Sequence, residues 1–205
     1  MADLDQIIFQ EHLVTLKETS ADFRNGLKTV QYMTESQLQV IDFDAVKNEY
    51  SKPLQLREVP KSNDALFEAD GHVIAFVEFK NGKLDRKDRY EICRKIYDSI
   101  LILSDLTSLK LSDIRQRMIY ILVYNEHANI NNANVVSPAV QEKSKKIDRS
   151  LAMDGFAREM MRLSKQEYII LGLNKFQNYC FKEVHTYTQK EFEDYLKKLF
   201  ANGEK

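Results

Sequence analysis

The sequence predicts an α/β fold built on a mixed central sheet flanked by helices. Three observations predict it. Residues 64–80 read as two strands joined at Asp70-Gly71, a dipeptide favoured where a turn needs positive φ. Residues 118–124 form a continuous β-branched and aromatic run, the pattern of a strand buried on both faces. Between them, Ile92, Ile96 and Ile100, with Cys93, Tyr97 and Leu101, recur at helical spacing. Strands alternating with helices are the order of an α/β domain.

Taken in order, the first 41 residues read as a helical extension, with Phe9, Leu13 and Leu16 at helical spacing and Gly26 as an interruption. Thr34-Glu35-Ser36-Gln37 has the form of a capping box, which predicts a helix running towards Tyr50, broken near Asp42 and stopped by Pro53. Residues 54–59 alternate like a short strand ending at Pro60. The hairpin follows, then a turn at 81–85, a helix over about 88–103 and the buried strand. Residues 125–136 are rich in asparagine and read as a loop. Ser137-Pro138 opens a further helix to about residue 163, with Gly155 as a possible break. Residues 168–171 and 179–184 are strand-like. Thr188-Gln189-Lys190-Glu191 is a second capping box, and Tyr187 is placed to staple onto Phe192. The 205 residues suit one domain: a core over about 42–124, the N-terminal extension, and a C-terminal helix-strand-helix elaboration over 125–205.

Composition narrows the function classes. A formal charge of −1 gives no global polyanion signature, so any nucleic-acid affinity must come from local patches. Cys93 and Cys180 are too few and too distant for a disulfide framework or zinc cluster, and the four histidines show no ligand spacing. No apolar run is long enough to span a membrane, and the start of the chain has no signal-peptide character. A reduced, cytoplasmic protein without a membrane partner is expected. There is no glycine-rich phosphate loop and no nucleophile elbow. His127 is expected to be an incidental loop residue, His72 a turn residue and Cys93 part of the core.

The chemistry concentrates in the second hairpin strand. Val73, Ala75, Val77 and Phe79 fall on one face; Ile74 and Phe76 begin the other, which ends in Glu78 and Lys80. Charges at the edge of a core cost stability unless something pairs with them. Asp64, at the start of the partner strand, is placed to lie near Glu78 across the hairpin. Two carboxylates and an ammonium at one end of a sheet suit a divalent-metal site with a helper cation. The competing reading is a solvated ion pair where the hairpin emerges, worth about 0–1 kcal/mol. Acid-x-lysine triplets arise by chance in so charged a chain: Asp85-Arg86-Lys87 is another, in a polar turn. The strand context sets Glu78-Phe79-Lys80 apart.

Asp64, thirteen intervening residues and then Glu78-Phe79-Lys80 resemble the signature of the PD-(D/E)XK, or restriction-endonuclease-like, nuclease superfamily. The element order over 42–124 also resembles its αβββαβ core, taking a helix at 42–51, strands at 54–59, 64–69 and 72–79, a helix at 88–104 and a strand at 117–124. The phrase Glu78-Phe79-Lys80-Asn81-Gly82-Lys83 and the following helix look like small bacterial members. Asn63 stands where the motif name has proline. The resemblance implies a Mg²⁺-dependent nuclease, with Mn²⁺ as a possible substitute. Asp64, Glu78 and the Phe79 carbonyl would ligate the metal, and Lys80 would orient the attacking water. Glu49 is the candidate for an auxiliary acid from the first core helix. DNA is the implied substrate, with RNA open as well.

Charge distribution agrees with a phosphate-tracking surface. Residues 80–95 carry seven bases against three acids, and residues 138–165 carry seven against four. Lys83, Arg86, Lys87, Arg89 and Lys95 are the candidate nucleic-acid contacts, since phosphate contacts supply most non-specific affinity. Two solvated helix faces would look the same. Cutting both strands of a duplex needs two sites, which makes a homodimer plausible, although no dimer signal is legible. The reading from a different function class is a catalytically inactive module of this fold that binds nucleic acid or a protein partner.

Overall fold

The computed structural model describes residues 4, 6–23, 30–69, 73–130 and 169–201. In chain order the elements are α1 (Ile7–Gln10), β1 (Leu13–Thr15), α2 (Leu16–Thr19), β2 (Ala21–Asp22), β3 (Gln31–Tyr32), β4 (Gln39–Asp42) and α3 (Phe43–Ser51). They continue with β5 (Ala65–Ala69), β6 (Val73–Lys80), α4 (Arg86–Thr107), α5 (Leu111–Arg117), β7 (Met118–Tyr124), α6 (Glu126–Ile130), β8 (Glu183–Thr188) and α7 (Gln189–Ala201). The architecture is mixed α/β, as the alternation of strand and helix patterns predicts.

Six strands form one sheet in the order β1-β4-β5-β6-β7-β8, while β2 and β3 pair separately. The β1/β4, β4/β5 and β5/β6 pairs are antiparallel, and the β6/β7 and β7/β8 pairs are parallel. A continuous apolar run on both faces is what a strand needs when helices cover the sheet on both sides. β6 and β7 have that run, and they lie at the centre. Side chains alternate across the sheet. Leu66, Ile74, Phe76, Tyr120 and Leu122 meet Phe43 and Val46 of α3 and Ile92, Ile96 and Leu103 of α4. On the opposite face, Ala65, Ala75, Val77, Ile121 and Val123 meet Leu16, Met33 and the α7 residues Phe192 and Leu196.

Several sequence expectations are corrected. The described part of the first 41 residues does not form a helical extension: it holds two four-residue helices and contributes β1 and most of β4 to the main sheet. The helix expected from Thr34 begins at Phe43, because Asp42 is its N-cap and accepts the Ala45 N–H at 3.0 Å. Thr34 instead donates its hydroxyl to the Glu193 carboxylate of α7, a tertiary partner that the local pattern cannot reveal. Residues 54–59 are not a strand. A short 3₁₀ turn, Lys52–Leu54, leads to Gln55 at φ 48°, and Leu54, Leu56 and Val59 are exposed. The strand beside β5 is β4, which precedes α3. The strand expected at 168–171 gives way to a 3₁₀ segment, Ile170–Phe176, and the last strand is β8, later than the 179–184 expected.

Other expectations hold. The helix after the hairpin begins two residues early and runs four residues longer, to Thr107. Its start is fixed by Asp85, whose carboxylate accepts the Lys87 and Asp88 N–H groups while Asp88 answers back to the Asp85 N–H. The Asp85-Arg86-Lys87 triplet is thus a helix cap. Thr188 and Glu191 form the predicted capping box of α7. Cys93 packs against the core. The loop expected over 125–136 is corrected in its first part: Asn125 accepts the Ala128 N–H at 3.2 Å and opens the one-turn helix α6, which holds the exposed His127, while 131–136 lie outside the described residues. The Asp70-Gly71 turn, His72, Gly26, the helix expected over 138–163 and its basic segment lie outside the described residues.

Candidate functional site

Antiparallel register brings the two predicted carboxylates together. Ala65 pairs with Val77 and Leu66 with Phe76, so Asp64, one residue before β5, faces Glu78. The Asp64 N–H donates to the Val77 carbonyl at 3.1 Å, which carries the ladder past the end of the strand. The Asp64 Oδ2 accepts the Phe79 N–H at 2.6 Å, fixing its rotamer against β6. A strand residue aims its N–H and C=O at the same neighbour. The Phe79 carbonyl therefore faces the Asp64 side as well.

Glu78 is fully buried and Asp64 has 16% of its side chain exposed. Between them sits Lys95 of α4, predicted as a nucleic-acid contact. Its ammonium donates to Asp64 Oδ1 at 3.0 Å and to both Glu78 oxygens at 2.8 Å. Three carboxylate oxygens, from Glu78 of β6 and from Asp64 just ahead of β5, thus converge on one cationic atom. The Lys95 ammonium is committed to the carboxylates, an inward direction that the sequence left open. Ile92, Ile96, Ser99 and Leu103 are buried in the α4 face on the sheet, and Lys95, one residue before Ile96, reaches the strand ends from this face. Helical spacing alone leaves that direction open, because Lys95 borders the apolar stripe. Lys80 lies on the same face as Glu78, with its Nζ 3.5 Å from Glu78 Oε1 and 3.8 Å from Asp88 Oδ1.

Burial governs the electrostatics. It pushes the Glu78 carboxyl up to about 8; the Asp64 charge adds to this, and Lys95 and Lys80 oppose it. Burial also raises Asp64, against the Lys95 ammonium and the Phe79 N–H, and the nearby Asp44 charge raises it further. For Lys95, burial lowers the ammonium, but Asp64 and Glu78 outweigh it and hold it above its usual range. The carboxylates titrate as a coupled pair.

Glu49, the expected auxiliary acid, is engaged elsewhere: its Oε2 lies 2.6 Å from His12 Nε2. The acid of α3 that bears on Asp64 is Asp44, in the first turn. Asp44 accepts from the Ser62 hydroxyl and lies 3.5 Å from Lys47 Nζ. Together with Glu18, Asp22, Asp42, Asp64 and Asn81 it lines a cleft of about 420 Å³, which has no lysine or arginine among its described lining residues. Asp44 was legible only as a first-turn acid, a common helix feature; its closeness to Asp64 needs the packing of α3 beside β5. Lys83, Arg86, Lys87 and Arg89 are exposed before and along the start of α4. Arg89 lies over Gly172, whose φ of +64° and missing side chain leave room for the guanidinium.

Two buried polar groups flank the site. The Asn63 side chain and the Tyr120 hydroxyl have no hydrogen-bond partner among the described residues. Asn63, in the position the motif name gives to proline, is held through its N–H, which donates to Ser99 Oγ at 2.9 Å. The charges of Glu78 and Asp64 act on Tyr120 across the same face, although burial is the larger cause of its raised hydroxyl pKa.

The donor set fits a hard divalent cation in kind. All three convergent atoms are carboxylate oxygens, and Mg²⁺ is commonly bound through one or two carboxylates while keeping several waters. Among the described residues no group of three or more acidic, histidine or cysteine side chains gathers around one metal position. Among them, too, no helix is long and apolar enough to cross a membrane. Comparison with protein-family models, characterised proteins and solved structures finds no match to this chain.

Proposed function

We propose that this chain is a divalent-metal-dependent nuclease of the restriction-endonuclease-like kind, hydrolysing DNA phosphodiesters. The observation that carries the proposal is the convergence of Asp64 and Glu78 across β5 and β6, with Lys80 two residues further on the same face. Asp64 and Glu78 would hold Mg²⁺ or Mn²⁺, with the Phe79 carbonyl facing the same side. A metal there polarises a phosphodiester and lowers the pKa of a coordinated water. Lys80 offsets charge at the phosphate. Exposed Lys83, Arg86, Lys87 and Arg89 offer backbone contacts nearby. Antiparallel β4-β5-β6 followed by parallel β7 supports the restriction-endonuclease-like reading, while α3, lying between β4 and β5, departs from its element order.

The second reading, a catalytically silent module of this fold that binds nucleic acid or a protein, is favoured by Lys95. A lysine that already satisfies both carboxylates makes a complete ion triad. The acid-lined cleft beside Asp64 also repels phosphate unless cations neutralise it.

The test is incubation of the purified chain with Mg²⁺ or Mn²⁺ and single-stranded, double-stranded or branched DNA, with RNA in parallel. Cleavage is expected, and Asp64→Ala or Lys80→Ala should each slow it by about 10²-fold or more. Intact substrates with either metal would remove the catalytic reading, and activity surviving both substitutions would locate it elsewhere.

A further inference from the structure

Among the described residues, Lys95 alone donates to both Asp64 and Glu78. We infer that Lys95 is a tethered cation that occupies the metal position and must swing out before a divalent ion binds. The inference rests on the metal-dependent reading above. Mg²⁺ needs the oxygens that the ammonium holds, and two cations cannot share three oxygens at contact distance without strong repulsion. One partner therefore has to move.

The surroundings decide which one. Glu78 is fully buried on a central strand and has no route to water. Asp64 is pinned by the Phe79 N–H. Lys95 has a flexible four-carbon stem, and 17% of its side chain is exposed, so the stem borders solvent along which the tip can swing out. Glu91, exposed one turn earlier on α4 and held only by Lys61 Nζ at 3.8 Å among the described ion pairs, offers an alternative partner at the favourable i−4 position. The lysine thus exchanges a buried pairing for an exposed one when a metal arrives. The site behaves as a gated one, with apparent metal affinity reduced by the fraction of time that Lys95 is in place.

Two measurements on the full chain test this. In the first, calorimetric Mn²⁺ titration compares wild type with Lys95→Met. The variant should bind about tenfold more tightly, because the competing state is gone. In the second, an amine-reactive ester labels wild-type lysines with and without saturating Mn²⁺, read by mass spectrometry. Lys95 should be protected without metal and labelled with it. Equal Mn²⁺ affinities, or Lys95 still protected at saturation, would overturn the gate while leaving the metal site standing. Absence of Mn²⁺ binding in both proteins would overturn the metal-dependent reading and the gate together. If Lys95→Met does not fold, labelling of the wild type decides alone.

Discussion

On one face of β6, Val73, Ala75, Val77 and Phe79 carry the apolar pattern to the end of the strand, where Phe79 meets Phe192 edge-on at 5.9 Å. On the other face Ile74 and Phe76 begin the same pattern, and Glu78 and Lys80 break it. Both faces are covered by helices and both are dry along most of their length. The first is an ordinary core contact between α7 and the sheet. The second holds a fully buried carboxylate, and its cost is offset by a lysine from α4 and a lysine from its own strand. Hydrophobic burial explains the first face, whereas the second spends stability on a charge cluster, which marks it as a candidate site.

The largest effect that separates the faces should come from Phe192→Ala. Removing this buried ring is expected to cost about 3–5 kcal/mol in chemical denaturation. On the metal-dependent reading, Mn²⁺ binding should be found in whatever fraction remains folded. Loss of metal binding in the folded fraction would show that the two faces are energetically one unit.

Next in size is a pH effect confined to the charged face. The Glu78 carboxyl sits at about 8 in the folded chain against an ordinary value of 4.5. Between those values the folded state keeps a proton that the unfolded state has released, so raising the pH favours unfolding. Wild-type stability should fall across this window, by at most about 1.4 kcal/mol per pH unit, with no further loss from Glu78 above it. Asp64, also raised, acts in the same direction. Melting temperatures at pH 5, 6, 7 and 8 should decline less steeply in Glu78→Gln. Identical slopes in the two proteins would assign the pH dependence to other groups.

The smallest effect concerns the hydroxyl that the charged face leaves without a described partner. Tyr120→Phe removes a fully buried polar atom and keeps the ring. It should stabilise the chain by about 1 kcal/mol in the same denaturation assay. A loss of similar size would mean that the hydroxyl is satisfied within the site.

Much of this comparison was legible in residues. Period-two alternation marked both faces of β6, and the charges at Glu78 and Lys80 stood out because a local pattern was violated. The pairing of Asp64 with Glu78 followed from hairpin register, which adjacent strands and a short turn nearly determine. The strand expected at 54–59 failed for the opposite reason: alternation is necessary for a half-buried strand, but only a neighbouring edge makes one, and β4 already occupies the β5 edge. Thr34 shows the same limit, since its capping signature was taken up by Glu193 from the far end of the chain.

The sequence by itself determined the fold class, the central strands, the cap of α7, and the carboxylate pair. Each rests on contacts between residues close in the chain, where periodicity and turn chemistry operate. Tertiary structure alone decided that Lys95, rather than solvent, meets that pair, that Asp44 and not Glu49 bears on Asp64, and that the first 41 residues supply strands. Those outcomes depend on which faces of α3, α4 and the N-terminal segment pack against the sheet. Long-range burial sets that packing, and no local pattern encodes it.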